Sequence, residues 1–324
     1  MKTAEEIQKR INEYIGSTSF SGTPKELYDP IVYIMSQGGK RLRPTLCLMA
    51  CELFGGDIDN CLPSALAAEV FHNFTLVHDD IMDQAPIRRG KETIYKKWNS
   101  NIAILAGDVM QTKALELALS HRAKHTYDVV TELCKVAREV CEGQQYDLNF
   151  ETQNNVSLAE YIEMIRLKTA VLLGSVLKIG GLVAGASEED IKNIYDFGIN
   201  LGIAFQLQDD IFDCYGDAKT FGKMPGGDIA DNKKTYLYLK ALELSNEGDR
   251  KRLISLFSMK PGRDDNKMRE VLDIYDKYNV KKLVTDVMRT YYDKSLTFLD
   301  KLSVPMERQT ALRDYAEALY FREK

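Results

Sequence analysis

The sequence predicts an all-α protein folded as a single helical bundle, and three observations carry that prediction. Apolar residues recur at spacings of three and four along nearly the whole chain, the breaks between these runs are short and few, and strand-like alternation bounded by turns is hard to find. The helical runs cover residues 3–14, 26–36, 42–54, 61–84, 101–119, 126–149, 158–184, 188–215, 231–257 and 266–301. Ser157 with Glu160 three residues on reads as a capping-box start, and Ser187 with Asp190 as a looser form of the same signal. Most of the Gly, Pro, Asp and Thr punctuation falls in residues 16–24, 86–99 and 216–229, the main loops.

Composition narrows the class. The chain has 324 residues, 44% of them hydrophobic, enough for a large core. Only 8 prolines, no linker-like tract and no long block of like charge argue for one domain over residues 1–324. A net charge of −5 gives no electrostatic footprint for nucleic acid. Six cysteines, at 47, 51, 61, 134, 141 and 214, show neither CxxC spacing nor disulfide-scaffold density, and the N-terminus lacks a signal-peptide apolar region, so a reduced cytoplasmic protein is expected. The apolar stretch Val171 to Ala186 contains Lys178 and several glycines and is too short to span a bilayer, so it reads as core helix with no transmembrane segment.

Two segments dominate the chemistry. LVHDDIMD carries Asp79, Asp80 and Asp83, and QLQDDIFD carries Asp209, Asp210 and Asp213; each is a DDxxD, offset by 130 residues at all three positions. On a helix, positions i and i+4 share a face, so Asp79 with Asp83 and Asp209 with Asp213 each form a carboxylate pincer. Ionised carboxylates among apolar neighbours are costly unless paired, and like charges one turn apart repel, so six of them call for cations. Hard divalent ions with oxygen ligands answer that demand, Mg²⁺ especially, because it accepts one or two carboxylates and completes its shell with water and phosphate oxygens. The implied ligand is phosphorylated, and the loops that follow both motifs are candidate lids.

Such a ligand also needs protein cations. Gly38-Gly39-Lys40-Arg41-Leu42-Arg43-Pro44 supplies three beside two glycines that let backbone approach closely. Arg88 and Arg89 follow the first DDxxD, and their planar forks suit phosphate oxygens. Lys223 and Lys233 follow the second, while Lys168 and Thr169 fall mid-helix in an apolar run. Taken singly, each has an ordinary reading: solvated charge, a snorkelling lysine, a satisfied polar core residue. Two DDxxD segments, GGKRxRP, RRG and FQLQDD rarely arise together from solvated faces.

In these motifs, from Gly38 to about Lys233, the chain resembles the trans-isoprenyl diphosphate synthases (short-chain polyprenyl synthetases), which join isopentenyl diphosphate head to tail to an allylic diphosphate. The resemblance implies an isoprenoid-synthase-type helical bundle around a deep central cavity, a homodimer, and three Mg²⁺ held between the two aspartate motifs. It assigns Asp79, Asp83 and Asp209 as main metal ligands, with Asp80, Asp210 and Asp213 in support. It places isopentenyl diphosphate on Lys40, Arg43, His72 and Arg89, and the allylic substrate among Arg88, Lys168, Thr169, Gln206, Lys223 and Lys233, with Lys233 preferred over Lys234. Arg88, Lys168, Thr169 and Gln206 take the catalytic roles. The implied reaction is Mg²⁺-dependent ionisation, condensation and elimination: cations stabilise the departing pyrophosphate, the Thr169 hydroxyl and Gln206 carbonyl dipoles stabilise the allylic cation, and released pyrophosphate takes the proton.

Product length should be set upstream of Asp79. At about 1.5 Å per residue, Thr75 lies roughly 6 Å and Phe71 roughly 12 Å below Asp79 near the carboxylate face, whereas Phe74 is turned roughly 140° away. Geometry makes Phe71 and Thr75 the candidate floor, and the resemblance adds Phe74, the position where an aromatic residue marks the short-chain enzymes; a twenty-carbon geranylgeranyl product is preferred over fifteen-carbon farnesyl, dimethylallyl, geranyl and farnesyl diphosphates being the primers. A terpene cyclase would carry mixed Asn/Asp, Ser/Thr and Glu ligands in its second metal motif, which here repeats DDxxD. A di-iron bundle would need two Glu-x-x-His pairs, and only Glu69 to His72 qualifies. A noncatalytic subunit that binds prenyl diphosphates would be marked by lost motif residues, and none is lost.

Overall fold

Helix follows helix from the N-terminus, as the periodicity predicts. A computed structural model of the protein describes residues 2–120, 125–216 and 225–321. The first helices are α1 (Ala4–Ser17), α2 (Lys25–Ser36), α3 (Leu42–Leu53) and α4 (Ile58–Met82). A two-residue antiparallel hairpin follows, β1 (Ile87–Arg88) with β2 (Lys91–Glu92), in which Ile87 pairs with Glu92 and Arg88 with Lys91. Next come α5 (Ile94–Lys97), α6 (Ser100–Leu119), α7 (Thr126–Thr152), α8 (Leu158–Ile165), a wide π turn over Arg166–Ala170, α9 (Val171–Ala184) and α10 (Glu188–Tyr215). The chain closes with α11 (Gly227–Ala230), α12 (Tyr236–Leu244), α13 (Glu247–Phe257), α14 (Asp265–Lys277), α15 (Val280–Leu299) and α16 (Met306–Tyr320).

Local chemistry explains the boundaries. Ser157 and Glu160 form the expected capping box at α8, and the Ser187 hydroxyl accepts from the Asp190 N–H at 3.1 Å where α10 starts. The expected helix 231–257 is broken at Ser245, and Asn246 caps α13 by accepting from the Asp249 N–H at 2.9 Å. The expected helix 266–301 is broken by Asn279, whose φ of 52° lies in the left-handed region that asparagine tolerates. Residues 158–184, expected as one regular helix, contain the π turn. Helix α16 lies beyond all the predicted runs. The loop 86–99 is not featureless: it folds into the hairpin and α5.

The chain packs as two compact units, each assembled from separate stretches of sequence. The first comprises Met1–Lys135, Ser175–Ile194 and Leu302–Leu312. In it α4 packs along α3 and α6, and α4 is buried through most of its length, from Ile58 to Val77. The second comprises Val136–Gly174, Tyr195–Lys301 and Arg313–Lys324, with Phe197, Leu207, Leu253, Val271 and Tyr275 among its fully buried residues. The apolar run Leu158–Ala184 is the one helix among the described residues long and apolar enough to cross a membrane, and it is largely buried inside the protein.

Candidate active site

In the first unit, the DDxxD occupies the C-terminal end of α4, with Asp79 and Asp80 in the last turn and Asp83 as the cap. Its cationic partner comes from the hairpin that follows. Arg88 Nε donates to Asp80 Oδ1 at 2.7 Å, and Arg88 Nη2 lies 3.5 Å from Asp79 Oδ2. Burial lifts the Asp80 carboxyl to about 6 against the pull of that guanidinium. A helix C-terminus is itself electronegative, so three carboxylates gathered there have a standing demand for positive charge.

The glycine-rich loop and the second hairpin arginine are built together. Gly38 and Gly39 adopt φ of 75° and 136°. A Cβ on Gly39 would stand 3.2 Å from the guanidinium carbon of Arg89, so the loop fits beneath that side chain because it is glycine. Arg89 Nη1 donates to the Gly38 carbonyl at 2.7 Å. Arg43 Nη1 lies 3.0 Å from His72 Nε2. A guanidinium only donates, so Nε2 accepts and the proton of the neutral ring sits on Nδ1. Burial first, then the charges of Arg43, Arg89, Arg88 and Arg41, hold the His72 pKa well below its ordinary value. The surroundings of one neutral imidazole are thus a region of positive potential suited to an anion. Lys40 is exposed beside it. Arg41 departs from the reading of GGKRLRP as three ligand-facing cations: it is buried, and its Nη1 lies 2.6 Å from Glu69 Oε1.

Of the floor candidates, Phe71 and Phe74 are buried and touch, with ring centroids 5.5 Å apart. Phe74 also meets the His78 ring edge-on at 4.9 Å. His78 Nε2 lies 3.1 Å from the Ile104 carbonyl of α6, where Gly107 leaves the room that a Cβ would take from the imidazole. Phe74 therefore belongs to the α6 side of α4, in line with the rotation expected from helical geometry. Thr75 is half-buried and returns its hydroxyl to the His72 carbonyl at 2.8 Å.

In the second unit, the DDxxD lies in the last two turns of α10, and its neighbours form a hydrogen-bonded relay. Thr169 Oγ1 donates to Gln206 Oε1 at 3.1 Å, Gln206 Nε2 donates to Asp210 Oδ1 at 3.1 Å, and Tyr161 Oη donates to Asp210 Oδ2 at 2.5 Å. The relay fixes which way the Gln206 amide faces. Lys168 Nζ pairs with Asp147 Oδ2 at 2.5 Å. Asp213 Oδ2 accepts from the Asp228 N–H at 2.9 Å. Burial, then the charge of Asp228, pushes the Asp210 carboxyl well above its ordinary value. Asp228 itself is lifted to about 7 by burial and by Asp213, with Lys233 pulling the other way. Lys234 is engaged elsewhere: its ammonium donates to the carbonyls of Phe150 and Gln153 at 2.6 and 2.5 Å. Lys223 lies outside the described residues.

Lys168 and Thr169 owe their directions to the π turn. A Cβ on Gly143 of α7 would collide with Lys168 N and come within 2.7 Å of Leu167 C, and a Cβ on Gly202 of α10 would sit 2.6 Å from Ala170 Cα. The turn is clasped between two glycine notches, so one side chain reaches α7 and the next reaches α10. Sequence reasoning did not single out Asp147, Tyr161, Asn73 or Asp228 as participants. The helix-interior glycine Gly143 was the available signal of close approach.

The donor sets suit a hard cation. Each cluster offers buried carboxyls that burial and neighbouring charges keep hard to ionise, so a bound cation would relieve both costs. Among the described residues no three His, Cys, Asp or Glu side chains form a ready-made cage.

Residues 24–275 match the polyprenyl synthetase family. The chain belongs to that family. It is 38% identical over 281 residues to the short chain isoprenyl diphosphate synthase of Methanothermobacter thermautotrophicus, covering 86% of this chain and 83% of the relative. It is also 38% identical over 305 residues to a geranylgeranyl diphosphate synthase of Sulfolobus acidocaldarius, covering 92% and 91%. A crystal structure of a geranylgeranyl pyrophosphate synthase superposes with a TM-score of 0.94 at 42% identity, each chain being covered in full at 100%. The expectation of an all-α trans-prenyltransferase is borne out.

Proposed function

We propose that residues 1–324 act as one catalytic domain that condenses isopentenyl diphosphate with dimethylallyl, geranyl and farnesyl diphosphates, and that the main product is geranylgeranyl diphosphate. The observation that carries the reading is the pair of DDxxD clusters, each at the C-terminal end of a long helix and each with its middle aspartate buried, Asp80 against Arg88 and Asp210 in the relay with Tyr161 and Gln206. Geranylgeranyl synthases among the relatives support the twenty-carbon product. Phe71, buried two turns below Asp79, with Thr75 between, supports a floor of intermediate depth. Farnesyl diphosphate is the second reading, favoured by the contact of Phe71 with Phe74, which thickens that floor.

The residues divide the work. Arg43, Arg89 and the neutral His72, with Lys40 at the edge, hold the diphosphate of isopentenyl diphosphate. Arg88, Lys168, Lys233 and Lys223 hold the allylic diphosphate. Asp79, Asp83 and Asp209, with Asp80, Asp210 and Asp213 in support, would hold three Mg²⁺, which would supply positive charge against the pyrophosphate oxygens. As the allylic carbon–oxygen bond breaks, the electron pair leaves with pyrophosphate, and Arg88 and Lys168 neutralise charge developing there. The Thr169 hydroxyl donates its proton to Gln206, which turns the oxygen lone pairs of Thr169 away from that amide and toward the cation. The double bond of isopentenyl diphosphate attacks the cation, and departing pyrophosphate takes the proton that restores a double bond.

The second unit's dipoles act only if water is kept from the cation, which the apolar residues flanking both motifs provide. We further propose a homodimer, since α6 exposes Ile104 and Leu105 outside while burying Ala103, Ala106 and Met110 inside. Six free thiols accord with a cytoplasmic location. Purified protein is incubated with Mg²⁺, isopentenyl diphosphate and each allylic primer, and products are separated by chain length. A twenty-carbon product is expected. Accumulation at fifteen carbons would select the farnesyl reading, and no elongation with any primer would replace catalysis by a noncatalytic subunit that binds prenyl diphosphates.

A further inference from the structure

Two ionisable residues outside the assigned set are more deeply buried than almost anything the mechanism uses. The side chains of Arg41 and Glu69 are 4% and 3% exposed and meet at 2.6 Å. A desolvated ion pair of this kind is seldom worth more to stability than well-packed apolar residues of the same volume, so its retention asks for a positional role. Its connections supply one. Arg41 Nη2 donates to the Met35 carbonyl at 3.2 Å in α2, and Arg41 Nε donates to Asn12 Oδ1 at 3.3 Å in α1. Glu69 Oε1 also accepts from Asn73 Nδ2 at 3.2 Å, and the same Nδ2 donates to the Glu69 carbonyl at 2.8 Å.

With its NH₂ group committed to Glu69, the Asn73 amide turns its oxygen outward. There Arg89 Nη1 lies 3.5 Å from Asn73 Oδ1 while donating to Gly38 O at 2.7 Å. Arg41 has φ of 49°, in the left-handed region, two residues after Gly39 of the loop that passes beneath Arg89. The buried pair thus holds both jaws of the Arg89 socket: the loop through the backbone of Arg41, and the α4 side through Asn73.

We propose that Glu69, Arg41 and Asn73 form a positioning relay that aims the Arg89 guanidinium at the diphosphate of isopentenyl diphosphate, and leaves the allylic substrate untouched. The inference rests on the assignment of Arg89 to isopentenyl diphosphate made above. None of the three residues touches substrate in this scheme, so their effects pass through Arg89.

The test uses full-length protein and steady-state elongation with each substrate varied in turn. Asn73→Leu removes the oxygen facing Arg89 without leaving a void. It is expected to raise KM for isopentenyl diphosphate about tenfold while KM for the allylic primer stays within about twofold and the thermal midpoint is little changed. The double variant Arg41→Met with Glu69→Met removes both charges together, so folding is retained. If the pair is merely structural, this protein recovers the wild-type KM for isopentenyl diphosphate; the relay requires that KM stay raised. Glu69→Gln, which can still accept from Arg41 and Asn73, is expected to recover most of the affinity. Equal rises in both KM values, or none in Asn73→Leu, would overturn the relay. A wild-type protein that elongates no primer would instead overturn the function on which it rests, and direct calorimetric titration with isopentenyl diphosphate then reads the relay without turnover: unaltered affinity in Asn73→Leu would overturn it there too.

Discussion

Lys234 donates its ammonium to the carbonyls of Phe150 and Gln153 where α7 ends, whereas the charge of its neighbour Lys233 bears on Asp228. A cation on the last carbonyls of a helix stabilises it, so Lys234→Met is expected to cost about 1 kcal/mol in urea unfolding. Lys233→Met is expected to leave the unfolding midpoint in place and to slow elongation by about tenfold or more, about 1.4 kcal/mol of lost transition-state stabilisation. Reversal of the two phenotypes would exchange the assignments. A second residue-scale expectation concerns pH. Burial alone would raise the Asp190 carboxyl, but the Ser303 hydroxyl and N–H and the Ser187 hydroxyl outweigh it and hold the pKa below its ordinary value. The Ser303 N–H donates to Asp190 Oδ1 at 2.7 Å, and the Ser303 hydroxyl to Oδ2 at 2.6 Å. A depressed carboxylate contributes stability that is present above its unfolded pKa of about 3.9 and is lost as pH falls through the lower folded value. Asp190→Asn should therefore lower stability at neutral pH by about 1–2 kcal/mol and flatten the acid limb of the stability curve. An acid limb identical to that of the wild type would show that Asp190 titrates alike in both states.

The π turn over Arg166–Ala170 is where local sequence and architecture part company. Arg-Leu-Lys-Thr-Ala carries no helix breaker, so periodicity reads 158–184 as a single regular helix. What widens the turn is approach from outside, by Gly143 on one side and Gly202 on the other. Gly143→Ala would drive a methyl into the Lys168 backbone. Overpacking against main chain costs about 1–3 kcal/mol when it can relax, and the relaxation available here is to rewind the turn. That would swing Lys168 off Asp147 and Thr169 off Gln206, so the variant should lose turnover far more than stability, read as kcat beside the thermal midpoint. Wild-type kcat in Gly143→Ala would show that the turn does not set these side chains. The same contrast explains what was legible in the sequence. The aspartates, the paired arginines and the helix starts at Ser157 and Ser187 are local patterns with local causes, so residue spacing suffices to find them. The break at Asn279 depends on a single backbone conformation, and the roles of Asp147, Tyr161, Asn73 and the buried Arg41 depend on partners 16 to 49 positions distant in sequence. No periodicity encodes those. Helix α16 escaped notice because its outward positions are charged and its apolar stripe is thin.

The proposed assembly joins these scales through α6. Its inner face lies along α4, with Ala103, Ala106, Gly107 and Met110 buried, and its main chain takes the His78 imidazole immediately before Asp79. Its outer face leaves Ile104 43%, Leu105 56% and Leu119 57% exposed. On this outer face Ile104 and Leu105 stand exposed beside Asp108, and apolar side chains left in water cost solvation unless something covers them. The occupant proposed is α6 of a second copy, since an isologous contact lets the same patch cover itself. Leu105→Glu would set two carboxylates against each other across such an axis and strand each in an apolar contact. The variant is expected to run as a monomer in light scattering at concentrations where the wild type runs as a dimer, whereas Leu105→Met, close in volume, remains dimeric. Because Ile104 both sits on the outer face and carries the carbonyl that meets His78, release of the partner should loosen α6 at the point where it braces the first aspartate cluster. Leu105→Glu is then expected to elongate several-fold more slowly, with the deficit growing on dilution in wild-type protein as well. A wild type that is monomeric throughout, or a Leu105→Glu protein that stays dimeric with full activity, would place the partner elsewhere and leave the outer face of α6 as plain surface.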